Sequence, residues 1–529
     1  MLISRIKNFK NLLKNSGKEQ IMESINVKLS RLTKALKEIA YYDSVHHLFA
    51  WDEPKHVRSA KAKNYSTELL SYMQGKKLEI FQNNESLIRE LHSMKHLLDP
   101  IKQRAIGLLI LDLDKVNLLS TSFFSTYSKA AHTCKIKHRE AKAAGDYSIV
   151  LPYFKELHKL TLEMAAAYGS LKPQLKTLYD VLSDDFEPGT SAELLRTIFQ
   201  PVIEPVSNLV KAFTNHPNQP KEERFKVVTD DQMVFCHVMT KLLGFNDDAG
   251  LFLENTSKTA SNNCSPISRD DVRFTTRCNG NDVTEGLFTT FHETGHALYF
   301  QGADEELSLL FGAGGISHAL HESQSRFYEV IIGKHLSTWK GVYEDWQQIT
   351  DPYDDVRVEE FWRSLHIIKP SYKRTGADEA SYMLHIALRS ELGIDMINGD
   401  LALADLPEAY NQKMRDYLGV TVQNDTEGCL QDGQWYAGSF AYFPSYGLGT
   451  ILAAQLWNAM QKDIPYIEDQ LETKNFSEVL GWLRRKIHTD GVSKTIFEAA
   501  KDATGEELNA KHFIEYVQNR YAMVYHGKY

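Results

Sequence analysis

The stretch LFTTFHETGHALYF, residues 287 to 300, governs the reading of the whole chain. His292 and His296 stand four residues apart, so on a helix both imidazoles project from one face and can hold a single ion. Glu293 lies beside them, where a carboxylate can act as general base toward a water. Leu287, Phe288, Phe291, Leu298 and Phe300 form the apolar flank of a buried helix. Gly295 in mid-helix forfeits about 1 kcal/mol of helix propensity relative to alanine, which points to close approach of another element beside the metal. With 20 histidines in the chain the five-residue pattern alone is weak evidence, and a third ligand must come from elsewhere.

That ligand lies beyond a glycine-rich break, LFGAGGIS (310 to 317), where the run SHALHESQSRFYEVIIG again has helical character and carries Glu322. Two imidazoles and a carboxylate suit zinc and leave a coordination position open for chemistry; cobalt tolerates the same ligands. His318, one turn from Glu322, is the competing ligand. The alternative is that His318, His321 and Glu322 are only a polar helix face.

Outward from this pair, most of the chain shows three- and four-residue apolar spacing, as in INVKLSRLTKALKEIAYY (25 to 42), ELLRTIFQPVIEPVSNLVKAF (193 to 213) and NFSEVLGWLRRKI (475 to 487). Breakers fall at FEPGTS (186 to 191), NHPNQPKEE (215 to 223) and SNNCSP (261 to 266). Residues 222 to 282 are the least helical, and FKVV, QMVFCHVM and DVRFTTR are compatible with short strands. The expected fold class is therefore mainly α, with a small β-sheet beside a helical body. No linker composition divides the chain. Residues 25–529 are expected to form one catalytic domain with two lobes around a cleft, preceded by an N-terminal extension over 1–24.

Composition removes other classes. With 529 residues, 43% hydrophobic and 24% charged, the chain can bury a large core and is not of disordered composition. The net charge of −9 and the lack of a basic and aromatic stripe argue against nucleic acid. Cys134, Cys236, Cys264, Cys278 and Cys429 are odd in number and form no C-x-x-C pair, which fits a reducing, cytoplasmic setting better than a disulfide framework or a thiolate zinc site. No stretch reaches the roughly 18 consecutive apolar residues of a membrane span. Residues 1 to 20 have amphipathic spacing and five basic residues but no signal-peptide core, so a plain extension without a targeting role is the expectation.

With these residues in view, the chain resembles the carboxypeptidase Taq (thermostable carboxypeptidase) family of zinc metallocarboxypeptidases. The motifs are DVRFTTR (271 to 277), HETGH (292 to 296), HESQSR (321 to 326), KRTGAD (373 to 378) and GCLQDGQW (428 to 435), with YDVLSDDFEPG, YFPSYGLG and WLRRKIHTDG as further matching stretches. The resemblance runs from about residue 27 onward. It implies a saddle-shaped helical gluzincin with a deep groove, a homodimer, His292, His296 and Glu322 as metal ligands, and Glu293 as catalytic base. A carboxypeptidase must also recognise a free terminal carboxylate, a task suited to a buried arginine through two parallel charge-assisted bonds. Arg374 is the first candidate and Arg273 the second, unless they pair structurally with Asp378 or Asp271. Tyr446 can donate to the oxyanion of a tetrahedral intermediate, or simply pack.

Three departures from the family pattern stand out. Its His-Pro-Phe motif is missing, with SNN (261 to 263) in that region; its final His-Trp is Gln434-Trp435; and Lys373 replaces Ile ahead of Arg374. Gln434 still has an amide donor for substrate. The expected activity is release of C-terminal residues from peptides with broad specificity. Two alternatives are an endo-acting oligopeptidase with the same metal site, which would ignore amidation of the peptide C-terminus, and a peptide-binding protein weakened in catalysis by the SNN and Gln434 changes.

Overall fold

The computed structural model describes residues 2–52, 59–221, 226–257, 262–350, 353 and 355–527, with the side chains of 2–19, 50, 60, 63 and 64 left undescribed. The architecture is a helical body with one three-stranded sheet. Helix α1 (Leu2–Asp52) packs its buried Ile25, Leu32 and Leu36 against Leu87, Ile88 and Leu91 of α2 (Glu85–Ser93) and Ile106, Leu109 and Leu113 of α3 (Pro100–Leu118). The recurrence of these residues at three, four and seven positions is what makes each a helix with one buried stripe. This satellite core is distinct from the main one, which gathers buried residues from Cys134 to Tyr525.

Helix α4 (Thr229–Leu242) contains QMVFCHVM, so the strand expected there is not formed. Its buried Gln232, Met233, Phe235, Cys236, Met239 and Thr240 pair off every three to four residues rather than alternating, and Asp230 and Asp231 favour its first turn. The expected strand FKVV is also absent where it is described, Lys226–Val228 being irregular.

The sheet consists of β1 (Gly250–Glu254), β2 (Cys264–Ser268) and β3 (Asp271–Thr276) in the order β1-β3-β2. β1 runs parallel to β3 with Phe252 opposite Phe274, and their rings stack at 4.6 Å. β2 is antiparallel to β3, so part of the expected breaker SNNCSP is in fact an edge strand. The expected strand at DVRFTTR is β3. Its Val272 and Phe274 are buried, and at its end the Thr276 hydroxyl donates to the Gly286 carbonyl at 2.9 Å. That bond anchors α5 (Val283–Gly302), which lies against the sheet and carries His292, Glu293 and His296.

After the short α6 (Glu305–Phe311), Gly312 and Gly315 take positive φ angles of 82° and 74° and turn the chain into α7 (His318–Arg326), which carries Glu322. A π-helical turn, Phe327–Ile332, continues α7. Two further helices complete the surroundings. One is α8 (Glu379–Asn398), buried along nearly its whole length; the other is α9 (Phe443–Asp463), packed along α7. Among the described residues no helix is long and apolar enough to cross a membrane.

Candidate metal centre

Helix α7 is clamped from both sides by glycines. A Cβ on Gly295 of α5 would collide with the Gln324 carbonyl oxygen and lie 2.7 Å from the Ser325 Cα, and one on Gly449 of α9 would lie 2.8 Å from the Ala319 oxygen and 3.1 Å from the Glu322 Cβ. The mid-helix glycine of HETGH is thus explained by backbone contact with the helix that bears Glu322, the candidate third ligand. Glu187, from the FEPG turn, accepts the Ser317 hydroxyl at 2.6 Å and the Ala319 N–H, satisfying the N-terminal end of α7.

This packing brings His292, His296 and Glu322 together, with one ligand atom from each within 4.8 Å of the others. The Nε2 atoms of His292 and His296 face the two Glu322 oxygens at 3.9 and 3.6 Å. Metal bonds of 2.0–2.2 Å would set such pairs about 3.4 Å apart around a tetrahedral ion, so closure by a few tenths of an ångström suffices. His318 is not part of this group; it packs against the rings of Phe186 and Tyr442.

The electrostatics fit a cation. Burial raises the Glu322 pKa, and burial alone would lower that of His292, yet the Glu322 and Glu329 carboxylates lift it to about 9. Glu329 is already paired with Arg326, which leaves the Glu322 carboxylate, facing the Nε2 atoms of both imidazoles, as the group a divalent ion would neutralise. His321 behaves as a packed neutral ring: burial lowers it to about 3, and it lies 4.4 Å from the ring of His296. Glu293 is 7% exposed and acts electrostatically on both His292 and Cys264, at the start of β2.

A second face of polar groups adjoins Glu322. Arg374 is buried, gives its Nε to Asp432 at 2.8 Å and its backbone N–H to Gln431 Oε1 at 2.6 Å. Among the described residues neither of its Nη nitrogens is hydrogen-bonded. Asp432 also accepts from Arg389 Nε at 2.6 Å, so one carboxylate holds two buried guanidiniums. Burial would raise the Asp432 pKa, but Arg389 and then Arg374 hold it well below the usual carboxylate range. The structural partner of Arg374 is thus Asp432, not Asp378, which instead caps α8 by accepting from the Ser381 N–H at 2.8 Å. Tyr446 packs its ring 5.3 Å from the Arg374 guanidinium, and its hydroxyl interacts with Gln434. Arg374 also acts through space on Glu322.

Among the described residues Arg273 makes no side-chain hydrogen bond or ion pair with this arrangement. Among the described residues its side-chain hydrogen bonds go to Asp271 alone, at 2.8 and 2.7 Å, a structural pairing within β3. Sequence reasoning missed Asp432, although it lies within a quoted motif, and Glu329, whose spacing of seven from Glu322 puts both on one helix face. Glu329 accepts from Arg326 at 2.7 Å and bonds His292 Nδ1 at 2.8 Å.

Residues 31–521 match the family model described as carboxypeptidase Taq (M32) metallopeptidase. The chain belongs to this family. It is 33% identical over 503 residues to carboxypeptidase 1 of Bacillus subtilis, covering 93% of this chain and 97% of that protein. It is 32% identical to thermostable carboxypeptidase 1 of Thermus thermophilus over 73% of this chain and 76% of that protein. The crystal structure of the M32 carboxypeptidase from Deinococcus radiodurans R1 superimposes with a TM-score of 0.88 at 27% identity, covering 94% of this chain and all of that one. The M32 chain is accordingly a metallocarboxypeptidase, a peptide hydrolase that uses a divalent metal, and its fold is that of its relatives.

Proposed function

We propose that this M32 enzyme is a zinc carboxypeptidase in which His292, His296 and Glu322 hold the ion, Glu293 is the general base, and Arg374 anchors the terminal carboxylate of a peptide. The observation that carries this is the juxtaposition of two faces on Glu322: the three-ligand cluster on one side, and on the other a buried arginine that acts on Glu322 and keeps both Nη nitrogens unbonded among the described residues. When bound, the ion would polarise the scissile carbonyl and make a water acidic enough to attack near neutral pH.

The protein's own groups do the rest. Glu293 takes the proton of the attacking water on its carboxylate and delivers it to the leaving amine. Arg374 pairs its two Nη donors with the terminal carboxylate and so sets the distance from the chain end to the scissile bond. Tyr446 and Gln434 supply hydroxyl and amide donors toward the oxyanion and the substrate. Arg273, engaged with Asp271, takes no part in this scheme.

Broad side-chain preference, a groove narrow enough to admit only short peptides or unfolded tails, a single catalytic domain over 25–529, homodimeric assembly and a cytoplasmic location belong to the same proposal. The five unpaired cysteines support the last. The test is mass spectrometry of a peptide ladder incubated with the zinc-loaded protein and with Glu293→Gln. Stepwise C-terminal loss, blocked by amidating the peptide and reduced about 10²–10⁴-fold in Glu293→Gln at unchanged zinc content, is the expected result. Internal fragments from the amidated peptide would instead support an oligopeptidase.

A further inference from the structure

We propose that Arg326 and Glu329 act as a positioning pair for His292: Arg326 fixes the place of the Glu329 carboxylate, and Glu329 fixes the imidazole tautomer that leaves Nε2 to meet the metal. This rests on the ligand assignment proposed above and concerns two residues outside it.

Glu329 sits in the π-helical turn Phe327–Ile332, a local widening of the kind often found at functional sites. A single oxygen, Oε2, takes both the Arg326 Nη1 donor at 2.7 Å and the His292 Nδ1 at 2.8 Å. With a carboxylate acceptor at Nδ1, that nitrogen carries the proton, and the lone pair is left on Nε2, the atom that faces Glu322 at 3.9 Å. The position of Oε2 therefore sets the orientation of the ring.

Arg326 is what sets the position of Oε2. An exposed pair at this spacing would be worth little, but these side chains are only 7% and 19% exposed, so the carboxylate depends on its partner for compensation. The guanidinium is itself fixed, lying 4.5 Å from the centre of the Tyr382 ring.

Among the described residues His296 has no carboxylate on its Nδ1. Its Nδ1 lies beside the backbone of His321 without a hydrogen bond of normal geometry, and its ring is held by packing at 4.4 Å from that of His321. Among the described residues His292 is the one of the two imidazoles oriented by a charge-assisted bond, so metal affinity should respond to changes in Arg326, a residue outside the proposed ligand set.

The test is zinc affinity, measured by titrating the metal-free full-length protein against a chromophoric chelator, together with thermal melting of the metal-free form and the visible spectrum of the cobalt-loaded form. Glu329→Gln and Arg326→Met are each expected to weaken zinc about 10–100-fold and to change the cobalt spectrum in the same way. The double variant should be no weaker than the worse single one, because Arg326 acts through Glu329. Arg326→Lys should recover part of the loss, and if Arg326→Met does not fold, the lysine variant decides. Wild-type affinity in Arg326→Lys and Arg326→Met, or a double-variant loss equal to the product of the two single losses, would overturn the pairing. If His296→Ala binds zinc as the wild type does, the ligand assignment itself fails, and that outcome is distinct from failure of the positioning pair.

Discussion

The metal face and the arginine face meet at Glu322, yet they are built in opposite ways. The metal face is local and held mainly by backbone packing: its candidate ligands and the Glu329 carboxylate on His292 lie between residues 292 and 329, and glycines let bare helix backbones touch. The arginine face is assembled from distant segments, Arg374, Arg389 and Asp432, and is held by charge. Close packing tolerates no added atom, whereas an ion network tolerates no missing charge.

The largest effect should come from the arginine face. Asp432→Asn leaves two buried guanidiniums without a carboxylate and is expected to destabilise the protein by about 3–5 kcal/mol at neutral pH, read from urea unfolding. The folded-state pKa of Asp432 lies below its unfolded value, so its contribution is complete above about pH 4 and is lost as pH falls toward the folded value. The gap between wild type and variant should therefore close in acid. A constant gap would mean that shape, not charge, holds this face.

The metal face should answer to volume instead. Gly295→Ala puts a Cβ against the backbone at Gln324 and Ser325, and overpacking of this kind costs about 1–3 kcal/mol. Zinc affinity should fall as well, because α5 and α7 are pushed apart. An alanine that leaves both melting temperature and affinity unchanged would break the distinction between the two faces.

The smallest effect is the control. Gly107, inside α3, has open space where a methyl group would stand, with nothing within 4 Å, so Gly107→Ala should stabilise by up to about 1 kcal/mol through helix propensity alone. Opposite signs at Gly295 and Gly107 in the same unfolding assay would tie the cost at Gly295 to contact rather than to helix chemistry.

How much could be read beforehand follows the same division. His292, Glu293 and His296 were legible because helical periodicity turns spacing in sequence into a shared face, and the oddly placed Gly295 signalled the crossing helix; Glu322, on that second helix, was singled out from His318 only by its family motif. Glu329 obeyed that rule too, seven residues from Glu322, but helix spacing does not say which of several acids on a face meets a ligand. The segment QMVFCHVM failed as a strand because a short apolar run has no unambiguous period, and burial against the core selected the helix.

The sequence by itself determined the mainly helical fold, the candidate metal-binding residue types and the family, because each is written in local spacing or in ordered motifs. Only the tertiary structure decided that Asp432 holds Arg374 and Arg389 together while Arg273 is engaged with Asp271. The reason is physical: a guanidinium pairs with whichever carboxylate folding brings within about 3 Å, and for Arg374 that partner lies 58 residues away along the chain.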